Sequence, residues 1–220
     1  MNAGAPMRYL WSDFGGVLTP PIEHSMGVFC RDHGIDRVAL TEAMAVVAAR
    51  YGVRDPLEPL DTPLVAEGEW LQQLSVELGG ALPLTTVADV WFDGRAANAA
   101  WIDVLRSVRV SGTGVGMLSN MVPAWDSHWR RMVDPASLFD DVVLSFEVGT
   151  RKPEPEIYAL AAERAGVRPE ECVLVDDLLT NCAGAEAAGW RAVHFVDADS
   201  AGGQIRLLSR GILPLSSHVI

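Results

Sequence analysis

The chain has 220 residues, 49% hydrophobic and 21% charged, a balance that suits one globular domain or a core domain with a smaller insertion and excludes a disordered or fibrous chain. A formal net charge of -12 excludes non-specific binding to nucleic acid or to anionic membrane surfaces, because both polyanions repel the protein at long range. Cys30, Cys172 and Cys182 are odd in number and widely spaced, which suggests neither a C-x-x-C pair nor a disulfide framework, the start lacks a basic flank before an apolar stretch, and no 18 apolar residues run uninterrupted. A protein of the reducing cytoplasm with no membrane partner is therefore expected.

The first apolar run, "MRYLWSD" at residues 7 to 13, reads as a buried strand that ends on Asp13, and Gly15 and Gly16 follow almost at once as turn residues. From residue 19 to 105 strand signals are nearly absent and helical periodicity dominates, in "EHSMGVFCRDHG", "RVALTEAMAVVAARYG", "EGEWLQQLSVELGG" and "AANAAWIDVLRSV". A connection between a strand and the next helix takes about 2 to 6 residues. Residues 19–105 are thus expected to form an inserted helical cap, with the proline-rich "RDPLEPLDTP" at 54–63 as a loop within it. Joined through "LTPP" and the segment near residues 105–113, such a lid is expected to move.

Residues 1–18 and 106–220 are then the core. In the second part, "GVGMLSN", "DDVVLSF", "ECVLVDD" and "WRAVHFV" read as strands, separated by the helical patterns "AWDSHWRRMV", "EPEIYALAAERAG" and "NCAGAEAAG" and closed by "SAGGQIRLLSRG". Gly166, Gly189 and Gly211 supply helix stops. Alternating strands and crossover helices predict an α/β fold, a Rossmann-like parallel sheet sandwiched by helices, with the α-helical cap inserted.

Ligands of open parallel sheets sit beyond the carboxyl ends of the strands. Those ends carry Asp13, Ser119 with Asn120, and Asp176 with Asp177, and the loop after the third strand carries Lys152. The set has a coherent chemistry. A carboxylate nucleophile cannot approach a phosphoryl group unless positive charge offsets the repulsion. Magnesium takes carboxylate and carbonyl oxygens, which suits Asp13, the backbone carbonyl of Gly15 and Asp177, while Lys152 and Ser119 suit the phosphate. Adjacent Asp176 and Asp177 after the apolar "CVLV" repel each other unless a cation intervenes, so Asp176 is a further ligand or supports one.

With these residues in view, the chain resembles the haloacid dehalogenase-like hydrolases over nearly its whole length. "DFGGVL" resembles the nucleophile motif of that superfamily, "LSN" its hydroxyl motif, "GTRKPEPEIY" its lysine motif and "VDDLLTNCAGAEAAGW" its acidic motif, all in order. The helical insertion resembles the cap that follows the first motif, and the paired aspartates with Asn181 resemble the epoxide-hydrolase-like phosphatase branch. The resemblance implies a Rossmann-like core, Mg2+, a small phosphorylated substrate and a phosphoaspartate formed on Asp13 and hydrolysed by water. It also exposes a departure: phosphatases of the family normally carry a second aspartate, the general acid and base, two residues after the nucleophile, where this chain has Gly15. Glu23 and His24 are the nearest titratable residues that offer a substitute.

Plainer readings stand beside these. Asp13 alone would be a turn or helix cap, Ser119 and Asn120 can cap the following helix, and Asn181 can open its own helix as an N-cap with an orienting role toward Asp177 second. Arg151 reads as a solvated loop residue or surface ion-pair partner, Cys182 as a small buried hydrophobe, and His128 and His194 as structural. Trp70, Trp91 and Trp101 are candidates to line a substrate pocket in the cap. Two other functions compete with a phosphohydrolase: a 2-haloacid dehalogenase, which needs neither magnesium nor a second aspartate, and a catalytically silent protein that binds a phosphorylated ligand or a protein partner.

Overall fold

Among the described residues five strands, β1 (Tyr9–Ser12), β2 (Gly114–Ser119), β3 (Asp141–Leu144), β4 (Cys172–Asp176) and β5 (Arg191–His194), form one sheet in the order β3-β2-β1-β4-β5. Every pairing is parallel, with β1 at the centre between β2 and β4. This is a computed structural model, and it describes residues 5–80, 82, 86–88, 92 and 95–212. β1 and β4 are buried along their whole length, as expected of strands covered on both faces. Alternation assigns their side chains: Leu10 and Val173 join the larger apolar cluster on one face, while Tyr9, Trp11 and Leu174 join Ile157, Tyr158 and Trp190 on the other. Gly116 on β2 makes room for this second layer, since a Cβ there would lie 2.5 Å from the Trp11 ring.

Between β1 and β2 the chain forms α1 (Ile22–His33), α2 (Arg37–Arg50), α3 (Glu58–Asp61), α4 (Glu67–Glu77) and α5 (Ala99–Val110). Local signals explain the ends. Gly34 closes α1 with φ 64°, and the Asp36 side chain caps α2 by accepting from Ala39 N at 2.9 Å. The proline-rich stretch is not wholly a loop, because Glu58–Asp61 makes a single helical turn with its proline near the start.

The last of these helices corrects the expected boundary. Sequence alone assigns residues up to 105 to the cap, but α5 packs on β2 and on the C-terminal helix of the core. Its buried stripe, Trp101, Leu105 and Val108, lies in the larger core cluster, and Trp101 Nε1 donates to Ser12 Oγ of β1 at 2.9 Å. An amphipathic pattern shows that a stripe is buried and not which surface buries it. The return to the core falls at Asn98, whose amide N donates to Leu18 O at 2.8 Å and whose Nδ2 donates to Val17 O at 3.0 Å, while its Oδ1 caps α5 by accepting from Trp101 N at 3.2 Å. Both linkers of the inserted segment are thereby fastened to each other.

After β2 come α6 (Asp126–Met132), α7 (Pro135–Leu138), α8 (Ser145–Val148) beyond β3, α9 (Pro155–Ala165), α10 (Leu179–Ala187) beyond β4, and α11 (Ala198–Ser209) beyond β5. Among the described residues no helix is long and apolar enough to cross a membrane. Trp70 is 3% and Trp101 0% exposed, so both are core residues and not pocket walls; Trp91 lies outside the described residues.

Because Trp101 belongs to the core, Trp101→Ala is expected to lower global stability by about 3–5 kcal/mol, the usual cost of emptying a large aromatic site. Urea unfolding measures it; a stability within error of wild type would place α5 with a dispensable lid.

Candidate active site

Asp13 follows β1 directly, and its backbone N–H donates to Val175 O at 2.9 Å, so the parallel ladder holds the residue in place. Asp176 ends the neighbouring strand β4, and Asp177 follows it. One oxygen from each of these three carboxylates lies within 4.8 Å of the others. The parallel sheet therefore delivers at one end the carboxylates that the sequence lists separately.

Lys152 reaches into this group from the loop between α8 and α9. It is 1% exposed, and its Nζ lies 2.8 Å from Asp13 Oδ1 and 2.6 Å from Asp176 Oδ2. Burial alone would lower the affinity of its ammonium for the proton, but Asp13 and Asp176 outweigh that and hold it well above the ordinary lysine range. Asn120 fixes the loop: Lys152 N donates to Asn120 Oδ1 at 2.8 Å, and Asn120 Nδ2 donates to Lys152 O at 2.9 Å. Asn120 is therefore a clamp on the lysine loop and not a helix cap. Ser119, buried at the end of β2, lines the same cavity.

The three aspartates are not equivalent. Asp176 is fully buried, and its Oδ1 accepts from Leu178 N at 2.9 Å and Asn181 Nδ2 at 3.0 Å, while its Oδ2 takes Lys152 and lies 3.1 Å from the same Asn181 nitrogen. Asn181 thus lies inside α10 and orients Asp176, correcting both the N-cap reading and the suggestion that it orients Asp177; the N-cap position is Leu178. Asp13 and Asp177, in contrast, face a cavity of about 360 Å³. Burial pushes the Asp13 carboxyl up to about 6, with Asp176 adding to the rise and Lys152 opposing it. Burial, then repulsion by Asp13 and Asp176, pushes Asp177 up to about 7.

Such a pair of crowded carboxylates fits a hard divalent cation, which would relieve the repulsion and invert the local preference for protons. The turn is shaped to the same end. Gly16 has φ +75°, and a Cβ there would lie 1.9 Å from Asp177 Oδ2, so only glycine lets that carboxylate approach Asp13. Gly15 is different. Its nearest neighbour to a Cβ would be Ile22 at 3.7 Å, an ordinary contact, so neither space nor backbone conformation forbids a side chain there. Of the two substitutes for a missing acid, both exposed, Glu23 lines the cavity and pairs with Arg37 at 3.8 Å, whereas His24 does not line it.

Arg151, the neighbour of Lys152, departs from its expected place at the surface. Arg151 is 6% exposed, and its guanidinium is held by Asp61, Asp55 and Glu58 of the inserted segment; it is no solvated loop residue. Three acids spaced through "DPLEPLD" were the available signal, since such a run needs a cation to be buried. Cys182 is buried as expected, with its Sγ 3.6 Å from Asp176 O. His194 is exposed and its Nε2 lies 3.0 Å from Asp177 O, while the His128 ring packs on Phe92.

Residues 13–189 match the family model described as haloacid dehalogenase-like hydrolase. Among curated relatives, a sesquiterpene phosphatase of Aspergillus oryzae is 33% identical over 102 residues, 46% of this chain and 52% of that one. A glyceraldehyde 3-phosphate phosphatase of Methanopyrus kandleri is 37% identical over 96 residues, 42% of this chain and 40% of that one. The chain thus spans about half the length of the curated relatives it matches. Among solved structures, a haloacid dehalogenase family enzyme of Bacteroides thetaiotaomicron in complex with magnesium and inorganic phosphate is similar with a TM-score of 0.63 at 21% identity, over 85% of this chain and 93% of that one. The L-2-haloacid dehalogenase of Xanthobacter autotrophicus is similar with a TM-score of 0.60 at 18% identity, over 84% and 76%. At these identities the likeness is one of fold.

Two outcomes follow from the geometry. Gly16→Ala displaces the Asp177 carboxylate and is expected to weaken magnesium binding by about 10–100-fold in calorimetric titration, the range seen when the support of a metal ligand is lost; unchanged affinity would remove Asp177 from the ligand set. In the absence of divalent cations, folded Asp13 and Asp177 keep protons above the pH at which unfolded aspartates, near 3.8, have lost them. The folded state then binds more protons, so this contribution to stability falls as pH rises from about 4 to 7. Melting curves across that window should show a shallower fall for Asp177→Asn than for wild type, and equal slopes would contradict the assignment.

Proposed function

Because the chain belongs to the haloacid dehalogenase-like hydrolases, we propose that it is a magnesium-dependent phosphohydrolase in which Asp13 attacks a small phosphorylated molecule. The observation that carries this reading is the buried Asp13–Lys152–Asp176 bridge opening on a cavity shared with Ser119 and Asp177. The phosphatase names of the partial relatives point the same way.

An Asp13 oxygen attacks phosphorus, the bond from phosphorus to the leaving oxygen breaks, and the phosphoryl group rests on Asp13. Water then attacks that phosphorus, and the bond to Asp13 breaks to release inorganic phosphate. Lys152 keeps Asp13 ionised before attack and offers positive charge to the phosphoryl oxygens during it, while the Ser119 hydroxyl donates to one of them. Asp176 and Asn181 hold Lys152 on target, and Asn120 holds its backbone. Asp13, the Gly15 carbonyl and Asp177, with Asp176 behind them, would hold magnesium, which would supply the remaining charge neutralisation.

Gly15 sets the substrate class. A leaving alkoxide needs a proton, and a positioned general acid contributes about 10²–10⁴ in rate. With glycine at that position, the favoured substrate is one whose leaving group departs without protonation, such as an acyl or enol phosphate. The dehalogenase alternative needs no cation, and the crowding of Asp13 against Asp177 counts against it. The protein is read as acting on a small molecule in the cytoplasm, its net charge of -12 arguing against non-specific binding to nucleic acid or to anionic membrane surfaces.

Phosphate release from acetyl phosphate and from simple alkyl phosphate esters, with and without magnesium, tests the reading. Acetyl phosphate should be hydrolysed only with magnesium, and Asp13→Asn should abolish it. Gly15→Asp, whose Cβ would make only an ordinary contact with Ile22, should raise turnover of alkyl esters by about 10²–10⁴. Halide release from 2-haloacids without metal would favour the dehalogenase, and ligand binding without any turnover would favour a silent binder.

A further inference from the structure

The loop that carries Lys152 is also tied to the inserted segment, by an ion cluster built on the buried Arg151–Asp61 pair that the chemistry above does not use. Arg151 Nε donates to Asp61 Oδ1 at 2.9 Å and Nη2 donates to Asp61 Oδ2 at 2.8 Å, a two-pronged pairing that fixes direction as well as distance. Nη2 also reaches Asp55 at 3.1 Å, and Nη1 reaches Glu58 at 3.4 Å. The main chain of the same segment is held separately. Ser145 Oγ donates to Asp61 O at 2.7 Å and accepts from Met121 N at 3.0 Å.

Met121 follows Asn120, whose side chain clamps the backbone of Lys152. The bonds close a circuit: Asp61 to Arg151, on to Lys152, to Asn120 and Met121, to Ser145, and back to Asp61. Asp61, Ser145 and Arg151 are all buried. Lys152 and Asn120 both lie in loops, where no strand ladder or helix bonds set their place. Their precision has to come from side-chain bonds of this kind.

We propose that Asp61 and Arg151 are positioning residues: by docking segment 55–61, they set the core loop that carries Lys152 and the Asn120–Met121 loop that clamps it beside Ser119 at the end of β2, so that the phosphate site is assembled only with that segment in place. The role in turnover rests on the phosphohydrolase reading above; the ordering of the loops does not. The inserted segment is then more than a lid. Its 55–61 stretch is part of the frame of the core site, and motion that admits substrate has to leave it docked.

The test uses the full chain as wild type, Arg151→Met, Arg151→Lys and the pair Asp61→Leu with Arg151→Met, which leaves no carboxylate of Asp61 buried without its partner. Hydrogen exchange of the Met121 and Lys152 amides reports the circuit directly, and magnesium-dependent hydrolysis of acetyl phosphate reports function. In Arg151→Met both amides should exchange faster, and kcat should fall by about 10²-fold while KM changes by less than about twofold, as for misplaced groups that act in the transition state. Arg151→Lys, which keeps the charge but not the fork, should lie between. The paired variant should regain the melting temperature lost in Arg151→Met but neither amide protection nor kcat. Recovery of kcat in the paired variant, or unchanged protection of Met121 and Lys152 in every variant, would overturn the proposal. Should wild type release no phosphate, the functional reading fails, and the exchange data alone still decide whether the circuit orders the loops.

Discussion

A lysine ammonium buried between two aspartates is the interaction on which the site depends. Taking three charges out of water is costly unless each is matched, and the match here is uneven. Asp176 has Lys152, Asn181 and the Leu178 amide, so its charge is fully answered. Asp13 shares the same lysine, and Asp177 faces it at second hand. Three carboxylates against one ammonium leave two negative charges unmatched, and that shortage, more than any single ligand, is what makes the site suit a divalent cation or protons in its place.

The rest of the architecture serves this imbalance. β1 and β4 are neighbours in the sheet, so the residues that follow them meet without any long connection. Gly16 removes the one Cβ that would keep Asp177 away, and the Asp13 amide stays in register with Val175. Lys152 has no strand to carry it. It is placed by Asn120 on one side and, through Arg151, by the inserted segment on the other, so two ion clusters one residue apart anchor the same loop.

Much of this was legible in the chain. The period of apolar runs announces a parallel sheet between helix layers, and the strand ends name Asp13, Ser119, Asp176 and Asp177 together, because adjacent acids at the end of a buried run repel each other unless a cation intervenes. Less legible were roles that depend on direction. Asn181 reads equally well as a cap for its helix and as a partner of a carboxylate, and only the turn of α10 relative to β4 points its amide at Asp176. Arg151 beside Lys152 reads as a surface residue because its three partners lie about 90 positions earlier in the chain.

Composition and spacing by themselves determined the class of fold and the acids at the strand ends, since these are properties of residue type and of local order along the chain, while the resemblance to the family singled out Lys152 and the glycine that stands at position 15. Tertiary structure alone decided that α5 belongs to the core, that Asp176 secures the lysine while Asp177 faces the cavity, and that Asp61 closes on Arg151. These are outcomes of which buried surface meets which and of how neighbouring charges share too few counter-charges. A pattern along one dimension carries the need for burial and neutralisation; the folded chain supplies the partner.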